Sequence, residues 1–359
     1  MLYFEKKEKE ILDVLDKFQK NTATLDELKA FQKRAQGEIL ASGREVDPDD
    51  NYNFLRYEKY WILLDSIVRG KVSKEKVRPH VYAIKANDFM ERVAFSNEDT
   101  TAPIGKIDKP LLYFDNNTYI YLKKYVPLEK ITKKYQFVYS PAHLEEMANS
   151  IRKEDFRYNE SVQRDLRYLG NLTNNVELLP DSDKGIIVRS ESPYNPLRRV
   201  LENFDGTVLS EEMEQDFMEN RSRIKAEHSL KVKGSSIEGV LSSAAAEKVL
   251  SSFAWYPEYE REAEKRLFWE RHRNSHWFLF MDLTCIDRIV DTLDNNPEPT
   301  RKYRSHMHDT THLIYATKSD IFVTNDGRLY DKATEIYRFL GIPVKVVDYK
   351  EFLPEMTNG

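Results

Sequence analysis

Four carboxylates, in three stretches far apart in the chain, have the type and position needed to bind a hard divalent cation. Asp115 ends the run Pro110-Leu-Leu-Tyr-Phe-Asp115, and Glu146 lies in Ser140-Pro-Ala-His-Leu-Glu-Glu146. Asp309 and Asp326 bracket Asp309-Thr-Thr-His-Leu-Ile-Tyr-Ala-Thr-Lys-Ser-Asp-Ile-Phe-Val-Thr-Asn-Asp326. Each falls at or beside a predicted junction of strand and helix. In an open α/β sheet, ligands bind outside the carboxyl ends of the strands. Carboxylates gathered there make an oxygen-rich pocket suited to Mg²⁺ or Mn²⁺. Without a cation they would repel one another and their pKa values would rise. Each acid also has a plain structural explanation. Asp115 and Asp309 can cap the helices that follow them, Asp326 sits in ordinary turn composition, and Glu146 suits a solvated helix face.

The elements that must position these acids are legible in the hydrophobic pattern. Leu111–Phe114, Tyr135–Tyr139, Ile321–Val323 and Val344–Val347 are short apolar runs, as expected of strands buried on both faces. Helical stretches follow the first three, at Thr118–Lys124, Ala142–Ile151 and Leu329–Leu340, and Thr310–Thr317 precedes the third. This order predicts an α/β fold with a parallel sheet flanked by helices. Residues 1–108 read as a mainly helical N-terminal domain. Its apolar stripes are Ile11, Leu15 and Phe18; Leu28, Phe31, Ala35 and Ile39; and Tyr57, Trp61, Leu64 and Val68. Thr24 and Glu27 form a capping-box pattern, and Gly43 is a plausible stop. After Gly70 the pattern is mixed, and 96–109 reads as a linker. Between about 152 and 300 strand signals nearly vanish. Glu211–His228, Ser243–Phe253 and Glu258–Phe280 read as helices, so a large helical insertion is expected to interrupt the second domain, 109–359.

Taken in order, the motifs resemble a PIN domain. Tyr113-Phe-Asp-Asn-Asn-Thr-Tyr-Ile-Tyr121 looks like the opening of that family. Val138-Tyr-Ser-Pro-Ala-His-Leu-Glu-Glu-Met147 resembles its second strand and Glu-bearing helix. The segment from Asp309 through Val323-Thr-Asn-Asp326 resembles the closing half, where an Asp opens a helix and Thr-x-Asp follows the next strand. The resemblance covers roughly 109–150 and 305–350. It implies a Mg²⁺- or Mn²⁺-dependent nuclease, with RNA preferred over DNA, whose metal ligands and catalytic residues are Asp115, Glu146, Asp309 and Asp326. In the family pattern the acid follows Ser-Pro by about five residues, which selects Glu146 over Glu145. Asn116, Thr324 and Asn325 are expected to position the acids or bind phosphate. The 162 residues between Glu146 and Asp309 exceed what such a domain needs, hence the insertion.

Phosphodiester cleavage by divalent ions needs no His or Cys nucleophile. His306 and His308 precede Asp309, but with one cysteine and with His272 and His276 in a remote helix, a zinc set lacks ligands at workable spacing. His312 reads as a packed, hydrogen-bonded residue. No Walker A loop, GxGxxG or GxSxG is present. The net charge of −5 opposes bulk attraction to nucleic acid but leaves room for a local basic groove. The candidates for that groove are Arg221, Arg223, Lys225, Lys231 and Lys233, and a second cluster of Lys265, Arg266, Arg271 and Arg273 among aromatic residues. No run of 18 or more apolar residues is present, the N-terminus lacks a signal-peptide core, and Cys285 is alone, so a cytoplasmic protein without a membrane span is expected. The architecture suggests a toxin or antiphage effector with a protein partner, or self-association, through the insertion or N-terminal domain. The alternative function is a non-catalytic PIN-like scaffold.

Overall fold

The computed structural model describes residues 2–42, 47, 50–94, 107–157, 159–181, 183–203, 273–293 and 303–357. Contacts divide the chain into two compact units. The first holds Met1–Phe95 with the short pieces Glu154–Tyr158 and Leu201–Asp205. The second holds Ser96–Lys153, Asn159–Val200 and Gly206–Gly359.

The first unit is helical: α1 (Tyr3–Gln19), α2 (Leu25–Ser42), α3 (Asn51–Val68) and α4 (Val77–Ala94). The predicted stripes are its core, with Ile11, Leu15, Leu28, Ala35, Tyr57 and Leu64 buried and Phe18, Ile39, Trp61 and Val68 packed against them. The Thr24 capping box is present in both directions: the Thr24 amide donates to Glu27 Oε2 at 2.6 Å and the Glu27 amide to Thr24 Oγ1 at 3.2 Å. Helix α4 was not anticipated. Pro79 looks like a breaker but stands in its first turn, where no intrahelical N–H is needed. Gly43 lies outside the described residues.

The second unit is mixed α/β around a four-stranded parallel sheet of order β2-β1-β5-β6, formed by β1 (Leu111–Phe114), β2 (Gln136–Val138), β5 (Ile321–Thr324) and β6 (Lys345–Asp348). All four match the predicted apolar runs. Leu112, Tyr113, Phe114, Val138, Phe322 and Val323 are wholly buried, as a strand covered on both faces requires. Strand β1 leads directly into α5 (Asn116–Tyr125), and β2 leads into α6 (Pro141–Lys153). The C-terminal half supplies α9 (His276–Leu293), α10 (Tyr303–Ala316), α11 (Gly327–Leu340) and α12 (Tyr349–Thr357).

Two expectations need correction. The insertion is not wholly helical in its described part. After α7 (Glu160–Thr173) comes an antiparallel hairpin of β3 (Val176–Asp181) and β4 (Gly185–Ser190), then α8 (Tyr194–Glu202). The β-branched run Ile186-Ile-Val188 was a strand signal, hidden by the charges beside it and by Pro180. Gly185 makes the turn at φ +73°, and a Cβ there would collide with the Arg273 carbonyl oxygen. The hairpin docks on the sheet edge, since the Tyr139 amide donates to Val176 O and the Leu178 amide to Tyr139 O. The helix expected to run through to Phe280 is also interrupted: residues 273 and 274 form a turn and α9 begins at His276. The helices predicted at 211–228 and 243–253 lie outside the described residues. Among the described residues, no helix is long and apolar enough to cross a membrane.

Candidate functional site

Strand β1 ends at Phe114, and Asp115 is at once its C-terminal neighbour and the N-cap of α5. Its Oδ1 accepts the Thr118 amide at 2.7 Å, which satisfies a helix-start donor. Its Oδ2 accepts the hydroxyl of Thr324, the last residue of β5, at 2.6 Å. The Thr324 hydroxyl in turn accepts the Asp326 amide at 3.0 Å, so one side chain ties the ends of the two central strands. Asp326 repeats the pattern as N-cap of α11, its Oδ1 accepting the amides of Arg328 at 2.9 Å and Leu329 at 3.1 Å. The cap role open to Asp115 is therefore real, and Asp326, whose surroundings read as turn composition, is a cap as well. Asp115 is only 2% exposed, and this burial pushes its carboxyl above the usual range, against the hydrogen bonds of Thr118 and Thr324.

Glu146 reaches the same edge from α6. Its Oε2 accepts Asn116 Nδ2 at 2.7 Å and its Oε1 lies 3.0 Å from His312 Nε2. Burial alone would raise the Glu146 carboxyl, but the hydrogen bond and charge of His312 outweigh it and hold the group below the usual range. Conversely, burial would lower His312, yet Glu146, Asp115 and Asp309 together raise it. One imidazole therefore senses three of the four predicted acids. Glu145 lies on another side of α6, 3.9 Å from His308 Nδ1, with 36% of its side chain exposed; desolvation pushes it up to about 7. The His308 Nε2 is 2.6 Å from Asn149 Nδ2.

Asp309 is not at a helix start. Helix α10 begins at Tyr303, which places Asp309 well inside it, half-buried and three residues before His312 on the same face. The predicted cap role is therefore replaced by an electrostatic one through His312. Asn116 and Thr324, expected to position the acids or bind phosphate, donate hydrogen bonds to Glu146 and Asp115 respectively. Asn325 is half-buried between Thr324 and Asp326. Arg221, Arg223 and Lys225 lie outside the described residues, as do Lys231, Lys233, Lys265, Arg266 and Arg271. Asp320 accepts the Leu111 amide at 2.7 Å, and Asp331 is exposed on α11.

Reading single motifs missed a buried polar chain that supports Glu146. From Ser140 Oγ to Tyr113 Oη is 2.7 Å, and from Tyr113 Oη to His312 Nδ1 is 2.7 Å. Were His312 protonated on both nitrogens, Tyr113 would accept from it and donate to Ser140. Beside this chain, His143 accepts the Ser140 amide at Nδ1 (3.2 Å) and donates from Nε2 to Phe114 O at 2.8 Å, which fixes its neutral tautomer. Burial, then the charge of His312, lowers His143 to about 3. The unfolded chain protonates His143 near pH 6.5 and the folded chain does not, so its contribution is full above that pH and is lost as pH falls toward 3. The slope is up to about 1.4 kcal/mol per pH unit. Urea unfolding of His143→Gln should therefore show a deficit against wild type that shrinks by about 2 kcal/mol between pH 7 and pH 5; an equal deficit at both would refute the neutral buried form.

The donor set is hard, anionic and oxygen-only, which is the ligand chemistry of Mg²⁺ and Mn²⁺. The desolvated Asp115 carboxyl is a group that a cation would relieve. As the side chains stand, no three His, Cys, Asp or Glu residues converge into a metal cage among the described residues. No protein-family model, no curated protein and no solved structure matches the chain.

Helix α6 gives a direct test of register. Adjacent residues point about 100° apart around a helix, and only Glu146 is engaged by both Asn116 and His312. If this sheet edge cleaves phosphodiesters with Mn²⁺, Glu146→Gln should cost about a hundredfold, near 3 kcal/mol of barrier, and Glu145→Gln far less. Equal losses would show that the wrong carboxylate has been assigned.

Proposed function

We propose that the chain is a Mg²⁺- or Mn²⁺-dependent nuclease with a PIN-like core, acting on RNA by hydrolysis of phosphodiester bonds. The observation that carries this reading is the buried Asp115 carboxylate at the C-terminal end of a central parallel strand, fixed through both oxygens, with Glu146 hydrogen-bonded to the next residue, Asn116. Asp115, Glu146, Asp309 and Asp326 are the residues that would hold the ion. A bound divalent ion supplies Lewis-acid stabilisation of the charged phosphorane and a nucleophilic water. The protein's part is orientation. Thr118 and Thr324 aim Asp115, and Asn116 and His312 aim Glu146. The preference for RNA, and a role as a toxin or antiphage effector, rest on the PIN resemblance and on the architecture.

One observation favours a second reading. Asp115 and Asp326 both cap helices, and that work needs no metal, so a non-catalytic PIN-like scaffold would keep them too. End-labelled single-stranded RNA and DNA incubated with Mn²⁺, with Mg²⁺ or with EDTA separate the two readings. Cleavage of RNA that EDTA abolishes is the expected result. No cleavage of either nucleic acid with either ion would leave the scaffold.

A further inference from the structure

The helix that begins at Asp115 ends in a surface that the proposed chemistry does not use. On α5, Ile120, Tyr121 and Tyr125 are 44%, 41% and 59% exposed, although this unit buries most of its large apolar side chains. The Tyr121 and Tyr125 ring centroids are 5.3 Å apart, and Tyr121 lies 5.5 Å from Tyr349 at the start of α12. Lys124 Nζ stands 4.9 Å from the Tyr125 ring centroid. The charge here is opposite to that of the whole chain. Residues 116–134 contain five lysines and one acid, Glu129, in a protein of net charge −5. Lys123 pairs with Asp165 at 2.7 Å and Lys134 reaches Glu355 at 3.5 Å, while Lys124, Lys130 and Lys133 are exposed.

Core packing does not account for a tyrosine pair with about half its surface in water. Exposed rings interleaved with lysines fit one class of ligand well: bases stack on the rings while ammonium groups neutralise phosphates. A protein interface core would instead be depleted in lysine, and a closed duplex offers no free base faces to stack. We propose that Tyr121, Tyr125 and Lys124 form a stacking platform for single-stranded nucleic acid, with the exposed Lys130 and Lys133 later in the same basic segment adding to its charge. The link from this platform to cleavage rests on the nuclease reading above. At 1.5 Å per helical residue, Tyr121 is about 9 Å and Tyr125 about 15 Å along α5 from Asp115, so the platform holds nucleotides flanking the scissile bond.

The test uses the full chain, a short fluorescein-labelled oligouridine and anisotropy in EDTA, where no metal-dependent cleavage occurs. Wild type should bind, and Tyr121→Ala with Tyr125→Ala should weaken binding about tenfold or more. Tyr121→Phe with Tyr125→Phe should restore it, because the ring rather than the hydroxyl does the stacking. Lys124→Gln with Lys130→Gln and Lys133→Gln should weaken binding and flatten its salt dependence. Equal affinity of the double alanine variant and wild type overturns the platform, as does tighter binding of a duplex than of the single strand. If wild type cleaves RNA with Mn²⁺ yet does not bind through these tyrosines in EDTA, the platform is lost and the nuclease reading stands. If it binds through them and cleaves with neither ion, the platform stands and the nuclease reading is lost.

Discussion

Asp115→Asn should abolish Mn²⁺-dependent cleavage, by on the order of a thousandfold or about 4 kcal/mol of barrier, without weakening the fold. The two effects part company because of what surrounds this side chain. The amide carbonyl of Asn can still accept the Thr118 amide and preserve the helix cap. What is lost is a desolvated negative charge, which burial already makes costly enough to raise the Asp115 carboxyl above its usual range, while the contact with Thr324 reverses, the Asn amide donating to the hydroxyl oxygen that formerly donated to Oδ2. Thermal unfolding of the variant should therefore occur at the wild-type temperature or higher while the nuclease assay falls to background. A folded Asp115→Asn protein with full activity would remove Asp115 from the site.

The largest loss of stability is expected from Lys332→Met. Asp287 on α9 is fully buried and is held by Lys332 Nζ of α11 at 2.7 Å and by the Thr310 hydroxyl of α10 at 2.7 Å. This carboxylate thus fastens α10, which carries Asp309 and His312, to its two neighbours. Breaking a buried ion pair from one side costs about 3–5 kcal/mol, and urea unfolding of Lys332→Met should show a loss of that size. A loss under about 1 kcal/mol, the value of an exposed pair, would mean that other groups fix α10.

How much of this was legible in the sequence depended on how local each signal is. The four sheet strands are short runs such as Leu111–Phe114, buried on both faces, and they stand out against charged flanks. Asp115 and Asp326 were placed at strand-to-helix junctions because the strand end and the cap are adjacent in sequence. The Thr24–Glu27 capping box spans only four residues and formed as read. Helix α4 was obscured by Pro79, and β3 and β4 by Pro180 and surrounding charges. Thr310-Thr-His-Leu after Asp309 reads as a helix start, yet the helix already begins at Tyr303. The partners of Glu146 were beyond reach for a different reason. Asn116 and His312 lie 30 and 166 residues away, and only the pairing of β1 with β2 and β5 brings their elements together. The chain Ser140–Tyr113–His312 is likewise invisible to any window along the sequence. Tyr113 reads as one more apolar strand residue until its hydroxyl is seen between Ser140 and the imidazole.

Metal binding tests the central claim most directly. Calorimetric titration of Mn²⁺ into the protein near neutral pH should give saturable binding, lost in Asp115→Asn and weakened in Glu146→Gln, with Glu145→Gln close to wild type. Absence of saturable Mn²⁺ and Mg²⁺ binding by wild type, or identical binding by Asp115→Asn, would contradict the account and leave these carboxylates as helix caps and hydrogen-bond acceptors.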